Sequence, residues 1–209
     1  MNGMIEFFFD CSSPWTYLAF HNILRLAPQF DVAIDWRPIL VGGIFNTINP
    51  SVYQSREKPV PAKARYAQKD LADWARVAGL KIIRPAIFPV NSVKAMRGCI
   101  VHQPEGKLVA FARAVFEAYW GDDRDIADDE VLADICRSIG SDPQAFFAGI
   151  AQQTIKDKLR ENTNELMARG GFGSPTIYLD REDMYFGNDR LPLVRAALER
   201  RSVARAARQ

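Results

Sequence analysis

No CxxC pair occurs anywhere in this chain of 209 residues. Its three cysteines, Cys11, Cys99 and Cys136, are odd in number and far apart. A disulfide framework is therefore not expected, and a reducing cytoplasm is the expected compartment. Histidine is scarcer still. His21 and His102 are the only two, and neither falls near a cysteine pair at ligand spacing, so no metal site is expected. An excess of one charge is missing too. The 27 Lys and Arg against 25 Asp and Glu leave a formal net charge of +2, a poor match to an electrostatic nucleic-acid binder. No apolar run approaches the ~20 residues that span a bilayer. The first residues lack the basic region, apolar core and small-residue cleavage site of a secretory signal, so neither membrane nor export is expected. Whatever chemistry the chain performs, it has no dithiol of its own to perform it with.

What is present is an ordinary globular composition, 48% hydrophobic and 25% charged. Met4 to Phe9 is a bulky apolar run that reads as a buried strand. Ser12-Ser13-Pro14 and the apolar period after it read as a helix start, with serine at the N-cap, proline at N1 and a stop near Pro28. Val32 to Trp36 alternates as a second strand. Asn46 to Pro61 is polar and rich in turn residues, and reads as a long functional or junction loop. Residues 62–169 read almost entirely as helix. Tyr66, Leu71, Trp74, Ala75, Ala78 and Leu80 form one amphipathic face there, and Asp128 and Ser141 are candidate caps. After Gly170 to Pro175, the stretch Thr176 to Leu179 reads as a strand and Met184 to Phe186 as another. A last helix is expected from Leu193 to about Arg200, with Arg200, Arg201, Arg205 and Arg208 as a solvated end. The ends are thus β-α-β and β-β-α, separated by about a hundred helical residues.

That outline resembles the thioredoxin-like fold of DsbA and kappa type, with a large all-helical insertion. Three segments carry the resemblance further. Phe9-Asp10-Cys11-Ser12-Ser13-Pro14-Trp15-Thr16-Tyr17-Leu18-Ala19 resembles the opening of 2-hydroxychromene-2-carboxylate isomerases and kappa-class glutathione transferases. Gly171-Phe172-Gly173-Ser174-Pro175-Thr176 is similar to their cis-proline segment, and Phe186-Gly187-Asn188-Asp189-Arg190-Leu191 to a third. Arg37-Pro38-Ile39-Leu40 and Phe88-Pro89-Val90-Asn91 are weaker matches between them. The resemblance runs from about Met4 to Arg200 and implies a discontinuous thioredoxin-like domain, residues 4–45 and 170–203. A junction loop and helical insertion, residues 46–169, would lie between its halves.

The resemblance implies that glutathione is cofactor or co-substrate, and that Ser13 is the catalytic residue. Ser13 holds the strand-to-helix position where related thiol oxidoreductases carry their nucleophilic cysteine. Orphan helix N–H groups and the dipole favour a thiolate there. From this segment alone Ser13 reads as a plain helix cap. A cis Ser174–Pro175 bond facing Ser13 is implied, with Ser174 offering its backbone to the cysteinyl unit. Asn188 and Asp189 would hold the γ-glutamyl end, although both are good N-caps that need no ligand. Asn49 and Lys63 are assigned to the glycyl or cysteinyl end, and Asn91 to a second substrate that is small, aromatic or electrophilic. Cys11 reads as a small hydrophobe. Asp10 reads either as a buried, partly paired carboxylate or as a simple strand end. The activity implied is a glutathione-dependent cis-trans isomerase. A kappa-type transferase or peroxidase, and a non-catalytic thioredoxin-fold binding protein, are the alternatives. Members of the family are commonly homodimers.

Overall fold

The computed structural model describes residues 4–206 of the chain, so Arg208 lies outside the described residues. Strand β1 (Met4–Phe9) leads into helix α1 (Pro14–Leu26), a short 3-10 turn, and strand β2 (Ala33–Pro38). Strands β3 (Thr176–Leu179) and β4 (Asp183–Phe186) form the closing hairpin, and α10 (Leu191–Ala206) ends the chain. The sheet order is β2-β1-β3-β4. β1 runs parallel to β2 and antiparallel to β3, so Phe7 faces Trp36 on one side and Ile177 on the other. This is the thioredoxin-like arrangement expected from β-α-β and β-β-α ends.

Alternation along β1 sends Ile5, Phe7 and Phe9 to one face of the sheet and Glu6 and Phe8 to the other. The first face joins a large core that also holds Tyr17 and Phe20 of α1, residues of the helical insertion, and Val194 and Leu198 of α10. Tyr17 stacks on Phe116 with ring centroids 5.0 Å apart, so one apolar cluster joins sheet and insertion. The second face carries the smaller cluster of Phe8, Ile39, Ile44, Leu166 and Tyr178. Glu6 is fully buried beside it, 2.6 Å from Arg169 and 3.4 Å from Arg37. Burial works against the charged Glu6 carboxyl, but the two guanidiniums outweigh it and hold its pKa below the usual range. The Arg169 guanidinium also lies 4.0 Å from the Tyr178 ring centroid, which fixes the end of the insertion to the sheet.

The insertion differs from the sequence expectation in four places. Asn46 to Pro61 is not an open loop: α2 (Val41–Thr47) and α3 (Ser51–Glu57) occupy most of it, because α2 buries Val41 and Ile44 and the Phe45 and Tyr53 rings meet edge to face. The next helix, α4 (Pro61–Ala78), ends at Gly79 in a left-handed conformation. Residues 79–92 then run without helix and include a cis Phe88–Pro89 bond, a long break in a stretch that reads almost entirely as helix. Tyr66 leaves the amphipathic face and is exposed, while Ala75 and Ala78 are buried. The helices α5 (Val93–Val101), α6 (Leu108–Phe116), α7 (Asp129–Ser138), α8 (Pro143–Ala151) and α9 (Gln153–Ala168) complete the insertion. Asp128 caps α7 as expected, but α8 is capped by Asp142 rather than Ser141, its carboxylate accepting from the Gln144 and Ala145 amides. The last helix begins at Leu191, not Leu193, since Pro192 suits a first turn. Arg201 is not simply solvated, for it pairs with Asp180 at 2.6 Å.

His102 closes α5 with its ring buried between Phe111 and Phe146, and both ring nitrogens lack a hydrogen-bond partner. Burial pushes its pKa down and Lys107 adds to this, while Glu105, 3.8 Å away, opposes it. Below the ordinary histidine range the unfolded chain binds a proton that the folded ring resists, so stability falls with pH there. Between about pH 7.5 and about pH 5.5 the wild type should lose more stability than His102→Phe in urea unfolding. Equal losses in both proteins would show that the folded ring takes its proton freely.

Candidate active site

The strand-to-helix turn after β1 places Ser13. Its backbone is extended (φ −111°, ψ 124°), its Oγ accepts from the Thr16 amide at 3.2 Å, and Pro14 follows at N1. The same Oγ donates a long 3.4 Å bond to the Ser174 carbonyl. Ser174–Pro175 is cis, as expected. The Ser174 hydroxyl accepts from the Asp10 amide at 2.9 Å and lies 2.8 Å from Thr16 Oγ1. Chain segments about 160 residues apart are thus fastened at one point. Gly173 is needed beside them, because a Cβ there would lie 2.7 Å from the Phe186 ring.

A cavity of about 480 Å³ opens over this junction. Ser13, Trp15, Ser174 and Phe186 form one side; the start of α2 with Phe45, then Tyr53 of α3, forms another; Phe88 to Ser92 forms the third. Asp10 lines it too, and the structure resolves its two readings in favour of a buried, partnered carboxylate. It accepts from the Ser12 amide at 2.9 Å, the Val41 amide at 2.8 Å and the Ser92 hydroxyl. Burial pushes its pKa up against these donors and the Ser12 hydroxyl, which favour the charged form. One carboxylate therefore ties the Ser13 turn, α2 and α5 together around the cavity.

The other residues singled out by sequence fall at different distances from this cavity. Asn91 lines it, with its side-chain oxygen accepting from the Val93 amide at 3.1 Å. Asn49 is outside the lining and donates to the Phe172 carbonyl at 3.2 Å. Lys63 is exposed on the first turn of α4. Asp189 is exposed at the start of the last helical segment, 3.3 Å from Arg190. Asn188 is buried and turned along α1, where its Oδ1 accepts from Asn22 at 2.9 Å. The resemblance pointed to Asn188 and Asp189 together, but only the tertiary structure reveals their opposite exposures. Phe45, Tyr53 and Ser92 were missed. Tyr53 lies in the expected loop and Phe45 just before it, where nothing in the sequence marks an aromatic residue as a cavity wall.

Cys11 is fully buried, and burial with Cys99 and Asp10 nearby pushes its thiol pKa far up. Its amide donates to Met96 Sδ at 3.3 Å, and its carbonyl accepts from the Trp120 indole at 2.9 Å. It behaves as the small hydrophobe expected of it, and its backbone anchors the turn to the insertion. Trp120 reaches it from a π turn, Glu117–Gly121, that continues α6.

The sequence matches the family model described as "DSBA-like thioredoxin domain" over residues 4–199. It is 28% identical to the 2-hydroxychromene-2-carboxylate isomerase of Pseudomonas putida over 202 residues, 94% of this chain and 95% of that one. It is 26% identical to glutathione S-transferase kappa 1 of Rattus norvegicus, over 91% of this chain and 88% of the relative. A solved 2-hydroxychromene-2-carboxylate isomerase superposes with a TM-score of 0.83 at 26% identity, covering 99% of both chains.

Proposed function

Because the chain belongs to the family of DSBA-like thioredoxin domains, we propose that it is a glutathione-dependent isomerase of the 2-hydroxychromene-2-carboxylate type, working in a reducing cytoplasm. The observation that carries this reading is Ser13, a hydroxyl at a helix N-cap beside a cis-proline, opening on a cavity of about 480 Å³. It occupies the place of a thiol and is therefore suited to receive one from outside.

The donor set fits glutathione. Pro14 has no N–H, so the Trp15 amide is the first donor of α1, and it joins Ser13 at the positive end of the helix dipole. The Ser13–Ser174 bond is long enough to be exchanged for a bond to sulfur. Ser174 would hold the cysteinyl backbone against Pro175, and exposed Asp189 the γ-glutamyl ammonium. The Asn188 backbone at the helix start would face the α-carboxylate. Asn49 and Lys63 would bound the glycyl end. When bound, glutathione supplies the nucleophilic sulfur that adds reversibly to the opened, conjugated form of an aromatic oxo-acid. Ser13 and the Trp15 amide lower the energy of negative charge at the sulfur position, in a partly dry cleft where such donors act strongly. Phe45, Tyr53 and Phe88 supply flat apolar walls for the acceptor ring, with Asn91 at its polar edge.

One observation favours the kappa-type transferase as a second reading. Among the described residues no lysine or arginine lines the cavity, which suits an uncharged electrophile better than a carboxylate. Turnover of a hydroxychromene carboxylate with and without glutathione, beside conjugation of a chlorinated nitrobenzene, separates the two. Glutathione-dependent isomerisation is the expected result. Conjugation alone would replace the isomerase by the transferase. Failure of glutathione to give any heat in calorimetry would leave a non-catalytic binding protein.

A further inference from the structure

A second cleft of about 350 Å³ lies where α1, α4 and the start of α10 meet. It shares no lining residue with the cavity beside Ser13. Asn22, its uppermost contribution from α1, is about 13 Å along the helix axis from Ser13. Two arginines line it, Arg195 from α10 and Arg25 from α1, whose guanidinium also lies 3.5 Å from His21 Nε2, and among the described residues no aspartate or glutamate lines it. Arg195 spends one donor on Gln29, at 2.8 Å, and keeps others. Asn188 lines the cleft as well and is only 2% exposed. Its oxygen is satisfied by Asn22, but its Nδ2 has no hydrogen-bond partner. A buried amide donor left unpaired is destabilising, so an acceptor placed there would be bound with advantage. The Trp74 indole and Leu191 add a flat apolar flank to this cationic, donor-rich end.

We propose that this cleft binds a small aromatic carboxylate through the Asn188 side chain, leaving that residue's backbone to the glutathione site. The carboxylate would lie between Arg25, Arg195 and the Asn188 amide, and the ring against Trp74. Planar guanidiniums match carboxylate geometry, and an indole face matches an aromatic ring. Inorganic phosphate shares the charge but has no use for the apolar flank.

Calorimetry on the full chain tests this with naphthoate, its neutral analogue naphthalenemethanol, and inorganic phosphate. Naphthoate should bind saturably at one site, with the alcohol and phosphate each at least about tenfold weaker. Arg25 is exposed, so Arg25→Glu should leave folding unchanged and weaken naphthoate by about tenfold or more. Saturating glutathione should leave the naphthoate affinity unchanged, and naphthoate binding should persist even if the chain does not bind glutathione. The proposal is overturned by a lack of saturable binding, by equal binding of alcohol or phosphate, or by an unaffected Arg25→Glu variant. Displacement by glutathione would overturn it as well, since the cleft would then belong to the first site.

Discussion

Ser13→Ala should lower turnover roughly a hundredfold while changing glutathione affinity by no more than a few-fold. The reason is differential. The Ser13 hydroxyl is one of many contacts to the bound tripeptide, but it is aimed at the atom where charge changes during the reaction. The substitution also removes the cap on α1, which costs about 1 kcal/mol of stability. Ser13→Asp separates the two effects, because aspartate caps a helix as well as serine yet places negative charge beside the sulfur. Activity should stay low in Ser13→Asp while thermal stability returns. Recovery of turnover along with stability would mean that Ser13 acts only as a cap, and the proposed chemistry would lose its central residue.

The second large effect is expected at Asp10. Removing its carboxylate in Asp10→Ala strands the amides of Ser12 and Val41 and the hydroxyl of Ser92, of which Val41 and Ser92 are buried and Ser12 is half-buried. Each unpaired buried group costs about 1–3 kcal/mol, so a loss of roughly 3–5 kcal/mol is expected in urea unfolding. Asp10→Asn keeps one carbonyl acceptor and should lose less. In the folded fraction, kcat/KM should also fall, since the Ser13 turn, α2 and α5 lose their common anchor. A loss below about 1 kcal/mol for the alanine variant would show that these segments hold together without it.

The legible and illegible parts of this chain divide along physical lines. The apolar run Met4 to Phe9 and the Ser-Pro start of α1 are local signals of period and capping, so they survive folding unchanged. Asn46 to Pro61 reads as loop because its polar, turn-rich composition outweighs the single aromatic Tyr53. Its helices form because Val41 and Ile44 find a sheet face contributed by residues elsewhere in the chain. Residues 79–92 fail in the opposite direction. Their apolar content invites a helix, yet Gly79 ends one and two prolines follow. Asn188 and Asp189 are adjacent and chemically alike, and only the packing of α10 on α1 buries one and exposes the other.

The missing CxxC pair is where the two levels meet. By itself the sequence determined that the chain has no CxxC pair, that its ends build a thioredoxin-like sheet, and that Ser13 starts α1. Those are matters of residue identity, alternation and capping, each decided within a few neighbouring residues. Only the tertiary structure decided that the Ser13 hydroxyl meets the Ser174 carbonyl, that Asp10 is a buried anchor, and what walls the cavity. Those depend on contacts between residues 30 to 160 positions apart, which chain connectivity leaves open until the whole core closes.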